Sequence, residues 1–174
     1  MQTGGLPVLM GSWFHHLLGA IRASVYAVPD ADLERLQRIG DLYATARVGF
    51  VGVPEIGADE ALALLGDPGW LIVDVRPSVE RAVSTLPGAL DLDTFRAAGP
   101  MGRRVLCYCT LGARSGRVAK QLRSEGVDAH NLAGSLLAWS HVDGPVERNR
   151  LRVREVHVYG KQWNLVKTGW RGVW

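Results

Sequence analysis

The chain has 174 residues, of which 47% are hydrophobic and 21% are charged, and this composition excludes an intrinsically disordered protein. Its length predicts one domain with extensions. The net charge of +3 is mildly basic, and the arginines are scattered along the chain rather than gathered in a run. Composition therefore favours a small anionic substrate or an acidic partner protein, and no nucleic acid is expected.

The N-terminal residues 1–53 are predicted to form a helical extension. Apolar residues at helical spacing predict one helix over 12–27 and a second over 31–46. Polar interruptions and the lack of a basic leading segment argue against a signal peptide or a membrane span. We favour a helical hairpin packed on the domain over a segment that contacts a membrane. The adjacent His15 and His16 would point in different directions on a helix, so no metal site is predicted there.

From Pro54 to residue 146 the pattern changes to alternating strands and helices. Apolar runs predict strands at 70–75, 89–90, 104–108 and 127–132. Between them, periodic segments predict helices at 59–65, 78–83, 93–98 and 115–125. This alternation predicts an α/β fold with a central parallel sheet and helices on both faces. Such sheets bind ligands at the carboxyl ends of their strands.

Residues 147–174 are predicted to form a strand followed by an aromatic tail. The segment 151–159 alternates apolar and polar residues, with a slip at Glu155 that requires a bulge if the segment is one strand. The tail beyond it carries three tryptophans, Trp163, Trp170 and Trp174. Tryptophans so close together favour packing on the fold or an oligomer contact over stacking on nucleic acid.

Cys109 follows a predicted strand and precedes a predicted helix. Free N–H groups and the positive end of the helix dipole stabilise an anion there, and the nearby Arg114 adds positive charge. Both effects lower a thiol pKa, so Cys109 is the candidate nucleophile. Cys107 and Cys109 are too close in sequence for a useful structural disulfide, which favours reactive thiols in a reducing, cytoplasmic compartment. Cys107 has apolar neighbours and is predicted to be a core residue rather than a resolving thiol.

Three sequence segments together resemble the rhodanese-homology domains. The loop 109–114 reads C-T-L-G-A-R and matches the family's active-site pattern C-x-x-G-x-R. Upstream, 74–89 carries Asp-Val-Arg, a glutamate and Leu-Pro-Gly-Ala at the spacing of the family's second motif. Downstream, 131–139 is similar to the family's N-L-x-G-G-x-x-x-W ending, and the resemblance spans about 54–146. The chain departs from the family at Arg81, Thr85 and Ser135, where an aromatic, a histidine and a glycine are usual.

The resemblance implies a sulfurtransferase in which Cys109 carries a sulfane sulfur as a persulfide. The thiolate would take the sulfur from a small anionic donor such as thiosulfate and pass it to a thiophilic acceptor, which could be a protein. The donor would bind in the loop formed by Thr110, Leu111, Gly112, Ala113, Arg114 and Ser115. In that loop N–H groups hold the anion, Gly112 permits unusual torsions, and Arg114 offers a fork of donors. Thr110 and Ser115 are expected to shape the loop and cap the helix.

No metal or other cofactor is predicted beyond the covalent persulfide, because the sequence shows neither clustered metal ligands nor a nucleotide-binding glycine pattern. Asp74 and Arg76 either make a structural ion pair or support the residues that touch the substrate. His141 and His157 are predicted to be surface or internally satisfied residues.

Two other functions stay open at this stage. Phosphatases and arsenate reductases of the same fold resemble this chain, but their loop places five residues between cysteine and arginine, whereas here four intervene. The shorter loop favours a sulfur atom over a phosphate or arsenate group. A non-catalytic interaction module of the same family usually lacks the cysteine, so Cys109 argues against that function.

Overall fold

The computed structural model describes residues 29–174. The helix predicted over 12–27, with His15 and His16, lies outside the described residues. The second predicted helix is present as α1 (Asp30–Arg47) and is followed by a 3-10 turn at Val48–Phe50. None of the described helices has both the length and the apolar content needed to cross a bilayer.

A five-stranded parallel sheet forms the centre of the structure. Its strands are β1 (Glu55–Ile56), β2 (Trp70–Asp74), β3 (Leu90–Asp91), β4 (Arg104–Tyr108) and β5 (Ala129–Leu132). Their spatial order is β1-β5-β4-β2-β3, and every neighbouring pair is parallel. Strand β4 is therefore central. The predicted parallel α/β sheet is confirmed, whereas β1 was not predicted because two residues carry no periodic signal.

Helices flank the sheet. They are α2 (Ala58–Leu62), α3 (Ser78–Arg81), α4 (Leu92–Ala98), α5 (Ala113–Ser124) and α6 (Ser135–His141). The first four confirm the predicted helices with shifted ends. The sequence did not predict α6, because all seven of its residues are buried and it has no polar face to produce a helical period.

Helix α1 packs on the domain through one buried face. Leu36, Ile39 and Tyr43 lie on that face with almost no exposure, and the helix contacts α5 and α6. Asp32, also buried, accepts hydrogen bonds from the backbone N–H and hydroxyl of Thr168, both at 2.9 Å. The extension and the C-terminal tail therefore meet on the same side of the domain.

The C-terminal residues form two small sheets rather than one long strand. Strand β6 (Val146–Arg148) pairs antiparallel with β7 (Leu151–Val153), and β8 (Glu155–His157) pairs parallel with β9 (Arg171–Val173). The strand or ribbon predicted over 151–159 is present as two short strands, β7 and β8, and no bulge is needed at Glu155 because the chain changes its pairing partner at Arg154.

The tryptophans of the tail behave as packing residues in two of three cases. Trp163 and Trp170 pack against the core, and the indole N–H of Trp170 donates to Asp143 at 3.1 Å. Trp174 is 63% exposed. The tail is therefore fixed to the domain through its first two tryptophans.

Asp74 and Arg76 form a buried ion pair at the carboxyl end of β2. Two nitrogens of the guanidinium donate to the carboxylate at 2.9 and 2.6 Å, and a third bond reaches the carbonyl of Ser84 at 2.6 Å. The Tyr108 hydroxyl donates to the same carboxylate at 2.6 Å and accepts from the N–H of Leu86 at 3.0 Å. These bonds connect β2, β4 and the loop after α3.

Arg76→Ala should lower the free energy of unfolding by about 3 to 5 kcal/mol, because it leaves the Asp74 carboxylate buried without its counter-ion. Urea denaturation followed by circular dichroism measures the loss. Arg123→Ala, which removes a surface pair with Asp128, is the matched control and should cost less than about 1 kcal/mol. Equal losses in the two variants would contradict a structural role for the buried pair.

Candidate active site

The site is built where β4 passes into α5 at the centre of the sheet. Cys109 follows the last residue of β4, and Gly112 lies at the N-terminus of α5 with φ +105°. A Cβ at Gly112 would also approach the Tyr43 ring to 2.5 Å. Backbone torsion and close packing on α1 therefore both require glycine, in agreement with its predicted role in the loop.

The loop surrounds the sulfur of Cys109 with donors. Sγ accepts a hydrogen bond from the Gly112 N–H at 3.1 Å, and it interacts with the backbone N–H and, at 3.5 Å, with the hydroxyl of Ser115. Cys109 is 1% exposed. Burial opposes ionisation of the thiol, but these hydrogen bonds and the Arg114 charge outweigh it and lower the pKa of Cys109. The arrangement favours a buried thiolate.

A hydrogen-bond network holds Ser115 in place. Its hydroxyl lies 2.7 Å from Oδ1 of Asn131, whose Nδ2 donates to the Gly112 carbonyl at 3.0 Å and to the Tyr43 hydroxyl at 2.9 Å. The prediction that Thr110 and Ser115 cap the helix is wrong, because Gly112 takes the cap position and no side chain caps α5. The Ser115 hydroxyl instead donates to Asn131 Oδ1 at 2.7 Å and, more weakly, to the sulfur at 3.5 Å.

Arg114 is paired with a buried glutamate. Its two terminal nitrogens donate to the two carboxylate oxygens of Glu80, each at 2.7 Å. Burial opposes ionisation of Glu80, but the hydrogen bonds and charge of Arg114 prevail and lower its pKa. The Nε of Arg114 is buried and has no hydrogen-bond partner among the described residues. The protein thus supplies a carboxylate partner for Arg114 and leaves one of its N–H donors unused.

The rest of the predicted loop supports these groups. Thr110 Oγ1 lies 3.3 Å from Arg114 Nη2 and 3.4 Å from Glu80 Oε2, Leu111 is buried in the core, and Ala113 begins α5. The N–H of Cys109 donates to Ser135 Oγ at 2.7 Å. The carbonyls of Cys109 and Thr110 accept from N–H groups of α6. The loop is therefore fixed from both sides.

Cys107, by contrast, lies in the sheet among apolar side chains. It pairs in register with Val73, has no exposed surface, and burial raises its pKa to about 12. It is protonated at neutral pH. This position agrees with its prediction as a core residue.

Asp74 and Arg76 affect the site electrostatically. Their hydrogen bonds go to each other and to the elements described above, and the Arg76 charge helps to lower the pKa of Glu80. Arg76 Nη1 is buried without a hydrogen-bond partner in the described part of the chain. The pair is structural, and its support of the site remains a prediction.

Several site residues were not assigned from the sequence. Glu80, Asn131 and Ser135 lie in the motif segments, and those motif positions were the signal that could have found them. His157 was predicted to be a surface or satisfied residue, but its Nδ1 is buried without a hydrogen-bond partner among the described residues and lies 4.0 Å from Glu80 Oε2. His141, as predicted, is satisfied, with Nε2 at 2.9 Å from the Leu165 carbonyl. Tyr159, from the C-terminal segment, lies over Arg114.

Within residues 29–174, no three His, Cys, Asp or Glu side chains lie close enough together to hold a metal ion. A cavity of about 470 Å³ borders the site beside Arg114 and is lined also by Arg76, Arg81 and Asp93. Positive side chains therefore outnumber negative ones around it.

A cysteine loop between a central parallel strand and the following helix defines an α/β domain with a reactive thiol. Residues 57–141 match the model of the family described as Rhodanese-like domain. The chain therefore contains a rhodanese-like domain, and the resemblance found in its sequence is confirmed.

The chain is also similar to curated relatives and, in fold, to a solved structure. A tRNA uridine(34) hydroxylase from Rhizobium etli is 34% identical over 89 residues, covering 44% of this chain and 29% of that protein. A tRNA sulfurtransferase from Desulfurococcus amylolyticus is 32% identical over 110 residues, covering 60% of this chain and 22% of that protein. The chain thus spans less than a third of either relative. A rhodanese-related protein from Thermoplasma volcanium shares the fold, with a TM-score of 0.50, 17% identity, and coverage of 55% of this chain and 99% of its own.

Ser115→Ala should raise the pKa of Cys109, because it removes a hydroxyl donor from the thiolate. A lost hydrogen bond to a charged group costs about 1.5 kcal/mol, so alkylation by iodoacetamide on the rising part of the pH profile should slow about tenfold. In the wild type the loop donors lower the pKa of Cys109, so the midpoint of the rate profile should lie below pH 9.0.

Ser124→Ala is the matched control, since Ser124 lies on the same helix and bonds only to the Gln121 carbonyl. Mass spectrometry assigns the alkylated cysteine. Superimposable profiles for Ser115→Ala and the wild type would show that the hydroxyl does not stabilise the thiolate.

Proposed function

We propose that the protein is a sulfurtransferase that moves a sulfane sulfur from a small anionic donor, such as thiosulfate, to a thiophilic acceptor through a persulfide on Cys109. The observation that supports this most directly is the buried sulfur surrounded by N–H and hydroxyl donors. A negatively charged sulfur is stabilised there before and after it takes up a second sulfur atom. The rhodanese-like domain that contains it provides independent support.

In the first half-reaction the Cys109 thiolate attacks the outer sulfur of thiosulfate. A bond forms between the two sulfur atoms, and the bond to the sulfonate sulfur breaks, so that sulfite leaves with the electron pair. The loop donors and Arg114 lower the pKa of Cys109 and so favour the thiolate, and the proposed step therefore uses no separate general base. The Nε of Arg114, which has no hydrogen-bond partner among the described residues, can donate a hydrogen bond to thiosulfate or to the departing sulfite.

In the second half-reaction an acceptor attacks the outer sulfur of the persulfide. The bond between that sulfur and Cys109 breaks, its electron pair returns to the cysteine, and the thiolate is restored. Cyanide gives thiocyanate by this route, and a thiol acceptor leaves with a persulfide of its own. These two half-reactions require no resident metal or redox cofactor, since the electrons balance within each step.

The alternatives have less support. A phosphatase or arsenate reductase must hold a tetrahedral oxyanion within the loop, and here the N–H groups of Gly112 and Ser115 are turned directly at the sulfur. Both terminal nitrogens of Arg114 are also occupied by Glu80. A non-catalytic interaction module would not need a thiol with a lowered pKa.

Incubation with thiosulfate should add the mass of one sulfur atom to the wild-type protein, and cyanide should then release thiocyanate and restore the original mass. Cys109→Ser should take up no sulfur. Cys107→Ala is the matched control and should load as the wild type does, because Cys107 remains protonated in the sheet. A wild type that never gains sulfur from any sulfane donor would overturn the proposal.

A second candidate function is sulfur delivery in tRNA modification. Two relatives have names that refer to tRNA. Although the arginines are scattered in the sequence, four exposed ones gather on the β6–β7 hairpin and the residue after it, namely Arg148, Arg150, Arg152 and Arg154. An exposed cluster of arginines favours contact with a phosphate backbone.

If the hairpin binds tRNA, the double variant Arg150→Glu with Arg152→Glu should weaken binding at least about tenfold and reduce its dependence on salt. Filter binding with bulk tRNA at several salt concentrations measures both. Arg38→Glu with Arg96→Glu changes two exposed arginines elsewhere and is the charge-matched control. Equal weakening in both double variants, or no binding by the wild type, would remove this candidate.

A further inference from the structure

The C-terminal segment contributes side chains to the site from outside the matched domain. Along β8 and the two residues after it, Val156 and Val158 are fully buried in the core. Because side chains alternate along an extended chain, residues 155, 157 and 159 lie on the opposite side. Two of these, His157 and Tyr159, face Glu80 and Arg114.

Several contacts fix the position of Tyr159. Its ring lies over the Arg114 guanidinium, 5.0 Å from ring centroid to Cζ, and its edge meets Trp163 at a centroid distance of 5.9 Å. The side chain also interacts with Thr110. Strand β8, which ends two residues before it, is held by its pairing with β9 and by the Ser84 hydroxyl, which donates to the Glu155 carbonyl. The ring therefore has a defined place above the cysteine loop.

Tyr159 is far more exposed to solvent than Cys109. The tyrosine is 47% exposed, whereas Cys109 is 1% exposed. A ring that contacts both Arg114 and Thr110 lies between solvent and the loop that holds the sulfur. An acceptor that approaches the sulfur from this side must pass the ring.

We infer that Tyr159 is a specificity-determining residue that narrows the approach to Cys109, so that small acceptors reach the sulfur and bulky ones are excluded. The inference rests on the proposed sulfur transfer. It concerns a part of the chain beyond residue 141, where the family match ends. The acceptor range is therefore set by this chain's own C-terminal segment as well as by the loop.

Discharge of the loaded persulfide tests the inference. Cyanide is the small acceptor and glutathione the bulky one. Tyr159→Ala should speed discharge to glutathione about tenfold relative to discharge to cyanide, because the wall of the entrance is removed. Tyr159→Phe keeps the ring and should behave as the wild type. Trp174→Ala removes a second exposed aromatic from the same segment, one that makes no ring contact or hydrogen bond to Arg114 or Thr110 among the described residues, and it should change neither rate.

Equal changes for both acceptors in Tyr159→Ala, or slower discharge to glutathione, would overturn the inference. Alkylation of unloaded Cys109 gives a readout that does not depend on sulfur transfer. Tyr159→Ala should react faster with the bulky pyrenyl maleimide and at an unchanged rate with iodoacetamide, with the modified cysteine assigned by mass spectrometry. If the wild type takes up no sulfur but this selectivity appears, the proposed function fails while the role of Tyr159 at the entrance stands. Absence of the selectivity overturns that role.

Discussion

The structure of the site depends on keeping a charged sulfur away from water. Burial alone raises a thiol pKa, as it does for Cys107, which lies two residues earlier and has no donors. Cys109 is equally buried, yet its pKa is lowered. The difference comes from the loop, because Gly112 adopts a positive φ and turns N–H groups toward the sulfur. The strand therefore raises the pKa of Cys107, whereas the loop lowers the pKa of Cys109.

The positive charge above the sulfur is shared between the protein and a ligand. Glu80 occupies the terminal nitrogens of Arg114 and holds the guanidinium in one orientation, at the cost of neutralising part of its charge. Arg76, fixed by Asp74, lies near enough to lower the pKa of Glu80 and so helps to keep it ionised. In the proposed reaction an anionic donor meets a positioned guanidinium whose Nε has no hydrogen-bond partner among residues 29–174, rather than a free arginine side chain.

The sequence predicted the sheet and the cysteine loop because both produce local signals. Buried parallel strands are continuous apolar runs, and the loop has a fixed residue spacing. Other features depend on tertiary contacts that leave no local pattern. Helix α6 is buried on all sides, β1 has two residues, and the strand predicted over 151–159 changes partner at Arg154. The pairing of Arg114 with Glu80, 34 residues away, likewise becomes visible only when β2 and β4 are side by side.

The same distinction explains why the C-terminal contribution was missed. His157 and Tyr159 alternate with buried valines, a pattern that predicts an extended segment but not what its outer side meets. Only the pairing of β8 with β9 brings that side over Arg114. The cysteine loop determines whether the sulfur can be charged. Under the proposed role of Tyr159, residues that reach the sulfur from outside the matched domain determine what can approach it, so domains with the same loop would differ in acceptor when their flanking segments differ.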